Sequence, residues 1–262
     1  MLLARYAPVG SQRYEKLAQS VKSFDKIIEW LPAQLFAIWS IFVAGMATGK
    51  AQIDRFYFWD WSDWMIGVVG LLVITLSLNI LANKFNDIPF RGNRITLKER
   101  GYHFFMSLIL LYIGYILFAG FGRMFDTIIY LLPYIAIYLI HTIKIDKNHN
   151  FMPNESNKHV KTITAIILLI IAAIIGYIID DPVLSTASIV TLPFLLVLLF
   201  GKHVRHLERA KFYPIFIFAM FVVSREAWFL VPILLLFFVL RSYNYLRYQK
   251  VYPTFGVTDD HS

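Results

Sequence analysis

Three asparagines and an aspartate close one long apolar run: Asn79, Asn83, Asn86 and Asp87, followed by Arg91, Arg94, Lys98 and Arg100. On a helix Asn79, Asn83 and Asn86 are spaced i, i+4, i+7 and share one face, with Asp87 beside Asn83. Polar side chains in a membrane helix face the bundle interior or a water-filled cavity. Arginine forks match phosphate oxygens. The chemistry this pattern offers is capture of a polar headgroup, foremost a phosphate or diphosphate. A plainer role competes with it, because asparagines also join membrane helices by hydrogen bonds and arginines after a helix set topology.

A second polar stretch reads GKHVRHLERAK, residues 201–211. If it is helical, His203 and His206 are neighbours at i, i+3, with Lys202, Arg205, Glu208 and Arg209 around them. His203, His206 and Glu208 could ligate a metal, since imidazole suits zinc, copper, iron or nickel. A basic run is also simply a solvated loop. Six of the seven histidines, His103, His141, His149, His159, His203 and His206, fall on one predicted side of the membrane. The repeated histidine boxes of a membrane di-iron oxygenase are missing, and ligand spacing must carry a metal claim. No P-loop, GxSxG, HExxH or EF-hand pattern occurs. Asp180-Asp181 before Pro182 reads as a turn.

The elements that must position these residues are apolar blocks. The chain has 262 residues, 58% of them hydrophobic and only 16% charged, against roughly half and a quarter in soluble domains. Eight continuous apolar segments lie near 30–48, 63–83, 103–121, 125–143, 162–179, 184–200, 212–224 and 227–245. Runs of about 20 apolar residues predict transmembrane helices. Continuous rather than alternating hydrophobicity argues against a barrel. The predicted fold is all-α: a polytopic helical bundle of about eight spans, forming a single integral membrane domain over 1–262. Residues 1–28 are predicted as a cytoplasmic arm and 246–262 as a cytoplasmic tail lying along the headgroups. The opening residues are too polar to predict a signal peptide. No cysteine is present, which excludes disulfides, thiolate metal sites and cysteine nucleophiles.

The net charge of +8 is a matter of topology rather than of nucleic acid. Alternate connections, counting the arm and the tail, hold 21 of the 25 lysines and arginines, and the others hold only Lys50, Arg55, Arg123 and Arg225. That split fits the positive-inside rule with both termini cytoplasmic, and it supports the count of spans. The chain is thus expected to be multi-pass in a membrane such as the bacterial inner membrane. The opposite loops are short, acidic and aromatic, as in DRFYFWDWSDW at 54–64, where Trp59, Trp61 and Trp64 suit an interfacial belt.

With polar stretches after the second and sixth spans, both on the predicted cytoplasmic side, the layout resembles the UbiA superfamily of membrane prenyltransferases. Those proteins carry one aspartate-rich motif after the second helix and another after the sixth. Asn86-Asp87 matches the opening of the first, NDxxDxxxD, while Phe90 and Arg94 stand at its later aspartates. KHVRHLERA, 202–210, is similar in cadence to the second, with His203, His206 and Ala210 at the aspartate positions. The resemblance implies an isoprenoid diphosphate bound at the two stretches and transfer of its prenyl group to an acceptor. In the family the carboxylates hold magnesium; here that ligand set is incomplete, with Asp87 and nearby Glu208 retained. It implies Asp87 and His206 as catalytic groups and Asn79, Asn83, Asn86, Arg91, Arg94, Lys202 and Arg205 as substrate-binding groups. Asp87, His203, His206 and Glu208 are the candidate metal ligands. The expected partners are the lipid bilayer, an isoprenoid diphosphate and a further membrane protein, and not nucleic acid. Two alternatives stay open: a non-catalytic, lipid-binding or accessory subunit on the same scaffold, and a small transporter.

Overall fold

The protein, seen as a computed structural model, is described over residues 2–23, 34–84, 97–121, 128–143, 157–201 and 203–249. Those residues form helices and the turns that join them, with one isolated bridge between Asp60 and Glu226. The helices are α1 (Leu2–Tyr6), α2 (Gln12–Lys22), α3 (Gln34–Ala51), α4 (Trp64–Lys84) and α5 (Leu97–Ala119). They continue with α6 (Leu131–His141), α7 (Asn157–Ile178), α8 (Pro182–Phe200), α9 (Val204–Arg225) and α10 (Leu230–Tyr248), the last preceded by a single 3-10 turn at Ala227–Phe229. Each of the eight apolar segments falls on one of α3 to α10.

Among the described residues four helical stretches are long and apolar enough to cross a membrane: Trp64–Leu81, Asn157–Ile178, Pro182–Phe200 and Ala227–Tyr248. Their length matches a hydrocarbon core of about 30 Å. Burial fits the same solvent. On α4 Gly67, Leu71, Ile74 and Leu78 are buried, a stripe of one helical face. Val69, Leu72, Val73, Leu76 and Ile80 are each about half or more exposed. A soluble helix would put polar residues on that outer face. Here it is aliphatic, as lipid requires, and the chain is a membrane protein.

Chain contacts divide the molecule into two compact units: Met1–Trp39 with Asp63–His103 and Trp228–Ser262, and Ser40–Ser62 with Phe104–Ala227. In the first unit the Trp39 indole N–H donates to the Thr75 hydroxyl at 3.0 Å. Trp228 lies flat against Gly67, where a side chain of any size would run into the indole. The helical arm α1–α2 packs on the end of α10 through Ala7, Tyr14, Tyr245 and Leu246.

The second unit is built on the pair α7 and α8. Buried Lys158, Thr162, Ala165, Leu169, Ala172 and Gly176 run along one face of α7 at alternating steps of four and three. Leu195 and Leu198 of α8, Ala136 and Ile140 of α6, and Leu207 and Ala210 of α9 close a core over them. Between α3 and α5 the backbones nearly touch. A Cβ at Gly45 would strike the Leu111 carbonyl, one at Gly49 the Tyr115 carbonyl, and one at Gly114 the Phe42 carbonyl. Gly45 and Gly49 are spaced as small-xxx-small, the pattern that lets membrane helices approach where no hydrophobic force separates lipid from side chain.

The structure corrects one predicted boundary. The seventh segment, expected to be short at 212–224, is the second half of α9, a continuous helix from Val204 to Arg225. Most of the stretch expected as a basic loop is therefore the first turns of that helix, with His203 as its N-cap. Basic residues hid the helix from an apolar count, although they sit well in a helix on an aqueous flank.

Candidate functional site

Asn79 stands about one and a half turns from the end of α4, half-buried. It lies on the same face as Leu71 and Thr75, at i+8 and i+4, the side on which Trp39 bonds Thr75. Position 83 continues that face by one turn, though the side chain of Asn83 is outside what the structure describes. Asn86, Asp87, Arg91 and Arg94, and with them most of the first predicted site, also lie outside the described residues.

The second stretch is better defined. His203 is the N-cap of α9, and its Nδ1 accepts the backbone N–H of Arg205 at 3.1 Å. An imidazole there satisfies one of the four backbone donors that open a helix. His206 follows one turn on, its ring packed over the backbone of Gly201. Its Nδ1 is buried and has no hydrogen-bond partner among the described residues. Arg205 is exposed. Lys202 and the side chain of Glu208 lie outside the described residues. Among the described residues no group of three or more His, Asp or Glu could hold a metal ion.

Three lysines around this turn have structural work. Lys158, at the start of α7 and buried, donates to the Gly201 carbonyl at 2.7 Å. Lys161 donates to the Thr142 carbonyl and Lys211 to that of Ile143, both at 3.3 Å. These carbonyls close α8 and α6, where acceptors are left over and cations are favoured. One end of the second unit is thus gathered by lysines on helix C-termini.

The other end of that unit holds the most buried charge in the described structure, and sequence reasoning missed it. Lys50, near the end of α3, places Nζ 2.7 Å from Asp60 and 3.1 Å from Glu226. The Glu226 side chain is fully buried, and the Tyr57 hydroxyl reaches it at 3.4 Å. Burial of Asp60 works against its charge, but hydrogen bonds from Lys50 and Ser62 outweigh this and hold the carboxyl at about 2. Burial pushes the Tyr57 phenol up, and the Glu226 charge adds to the effect. Backbone bonds from Trp59 to Ser224, from Asp60 to Arg225 and from Ala227 to Asp60 lace the 52–63 loop to the end of α9. The Arg225 guanidinium donates to the carbonyls of Arg55 and Tyr57.

Beside it, Asp181 is not the exposed turn residue expected. It is buried, it caps α8 by accepting from the N–H groups of Val183 and Leu184 at 2.9 Å, and it accepts from the Tyr130 hydroxyl at 2.8 Å. Tyr130 also lies 3.1 Å from the Thr48 hydroxyl. Asp180 does turn, at φ +65°, and pairs with Arg55 on the surface. A sequence signal existed for this end: only Arg225-Glu226 separates the last two apolar segments, too little chain to carry a charge freely into water.

The two ends differ chemically. The acidic, aromatic end closes its charges among its own side chains, as a structural clamp does. At the lysine-rich end three lysines donate to carbonyls, and a buried imidazole nitrogen has no partner among the described residues. Comparison with protein-family models, with curated proteins and with solved structures finds no match.

Proposed function

We propose that the chain is a multi-pass membrane protein of about eight spans with both termini cytoplasmic, and that it is a UbiA-like prenyltransferase. It would bind an isoprenoid diphosphate through Asn79, Asn83, Asn86, Arg91 and Arg94 after α4 and through Lys202 and Arg205 at the start of α9. The observation that supports this reading is the polar face of α4: half-buried Asn79 follows Thr75 by one turn, and position 83 follows Asn79 by another; in sequence Asn86-Asp87 and the arginines come next. The buried Nδ1 of His206, which has no partner among the described residues, is consistent with a proton donor or ligand in the second stretch. Cations around a departing diphosphate would stabilise the charge that develops as the allylic carbon–oxygen bond breaks, and an acceptor would then attack the carbocation. Asp87 is the carboxylate best placed in sequence to hold magnesium, with Glu208 and the two histidines as the remaining candidates.

A second reading has its own support. His203 stands where the family has an aspartate, and here its Nδ1 serves a helix cap instead of offering carboxylate oxygens to magnesium. A bundle that kept the headgroup pocket and lost the metal would be a lipid-binding or accessory subunit. A thermal-shift titration in lipid nanodiscs separates the two. Farnesyl and geranylgeranyl diphosphate would be added with and without magnesium, beside Asp87→Asn and His206→Ala. A saturable shift that needs magnesium and is lost in both variants supports the transferase. A shift indifferent to magnesium supports direct cationic binding by an accessory protein. No shift with either diphosphate sinks both for these ligands.

A further inference from the structure

The N-terminal arm is fastened to a membrane-spanning helix at the level where that helix leaves the lipid. Tyr14 of α2 donates its phenol proton to the Leu246 carbonyl at 2.9 Å, with Tyr245 O at 3.3 Å. In return, the Tyr245 hydroxyl donates to the Ala7 carbonyl at 2.6 Å. The two rings meet edge to face at 5.6 Å. Tyr245 and Leu246 lie in the last turn of the apolar stretch Ala227–Tyr248. Tertiary contact, not chain length alone, therefore sets the depth of the arm.

The inner face of the arm is satisfied by this packing, and the outer face is not that of a water-soluble helix. Leu2 is 84% exposed, Tyr6 63% and Val9 49%. The Arg13 guanidinium lies 4.9 Å over the Tyr6 ring, and Arg5 and Lys16 are exposed nearby in the chain. Residues 2–23 carry four basic side chains against the single acid Glu15. Exposed aliphatic and aromatic side chains among lysines and arginines, held at the end of a span, match the interface between acyl chains and headgroups.

We propose that residues 2–22 form an interfacial anchor that docks on anionic phospholipid headgroups. Leu2, Tyr6 and Val9 would enter the headgroup layer, and Arg5, Arg13 and Lys16 would contact the lipid phosphates. The chain has no cysteine, so Val9→Cys gives a single site for a nitroxide on the full-length protein. Its collisions with oxygen and with a water-soluble nickel chelate are measured in nanodiscs of phosphatidylcholine, with and without phosphatidylglycerol. The expected result is a label that moves from water-accessible to oxygen-accessible when anionic lipid is present. Each of Arg5→Gln, Arg13→Gln and Lys16→Gln should lower the docked-to-free ratio about five-fold. The lipid swap leaves the protein unchanged, so a folding defect cannot mimic the effect. A label equally exposed to water in both lipids overturns the proposal. So does a label shielded from both reagents, which would mean that protein covers the arm.

Discussion

Replacing Lys50 by methionine tests whether the clamp at the acidic end is as interdependent as its geometry indicates. Methionine keeps the length and apolar stem of the side chain and removes only the ammonium. The loss falls on Glu226, fully buried and 3.1 Å from Nζ, more than on Asp60, which is a quarter exposed and keeps Ser62. Leaving one member of a buried ion pair without its partner costs about 3–5 kcal/mol, out of a total near 5–15 kcal/mol. A thermal melt in detergent micelles, followed by tryptophan fluorescence, should therefore lose on the order of 10 °C. Adding Glu226→Gln to Lys50→Met should recover most of it, because the uncompensated charge is then gone. Acid should also rescue the single variant: without Lys50 the folded carboxyl binds its proton more tightly than the unfolded one, so stability recovers as pH falls. A single variant as stable as the parent, or a double variant no better than the single, would refute the reasoning.

Three further outcomes follow from other contacts. Asp181→Ala removes a cap of α8 and the acceptor of the buried Tyr130 hydroxyl, and should cost about 2–4 kcal/mol in the same melt; Asp181→Asn, which keeps an oxygen, should cost less. Gly45→Leu must push α5 away from α3, because the obstacle is the Leu111 backbone rather than a movable side chain; a loss of at least about 1–3 kcal/mol is expected, whereas the same change at Gly10, which has open space but φ +83°, tests only the turn between α1 and α2. Asp60 has a depressed carboxyl near 2, so its contribution is complete above its unfolded value of about 4 and disappears as pH falls through about 2; Asp60→Asn should flatten that part of an acid-unfolding curve.

The helices were legible because lipid imposes a simple rule on sequence. Eight apolar segments announce themselves when the solvent is hydrocarbon, and each coincides with a helix. The boundary of α9 was not legible, because its first turns carry Arg205, Arg209 and Lys211, and an apolar count ends where charge begins. The helical face that Asn79 shares with Thr75 was legible from spacing alone. The clamp did not, since Lys50, Asp60 and Glu226 are far apart in sequence and each looks like an ordinary end-of-span charge. Only the tertiary path of the 52–63 loop brings them within 3.1 Å of one atom. Asp181 was read as a turn for the same reason: its short-range partners, the N–H groups of Val183 and Leu184, are visible in sequence as a cap before Pro182, but Tyr130 is not.

The distribution of charge at the two ends of the second unit bears on where an anionic ligand could bind. The connection 144–161 and the stretch 201–211 together carry eight basic residues and three acidic ones. Lys158, Lys161 and Lys211 each donate there to a backbone carbonyl. At the acidic end Lys50 meets two carboxylates and Arg55 meets Asp180. The lysine-rich stretches thus carry a clear basic excess in sequence, and a field of one sign raises the local concentration of an oppositely charged ligand. Cations set on helix C-termini are also held in place before any ligand arrives, so their ordering cost is met in folding rather than in binding. A diphosphate would then meet a surface already arranged for it. This gives the lysine-rich end a reason to be basic beyond membrane topology, and it predicts that diphosphate binding there weakens steeply with added salt, as a purely apolar prenyl pocket would not.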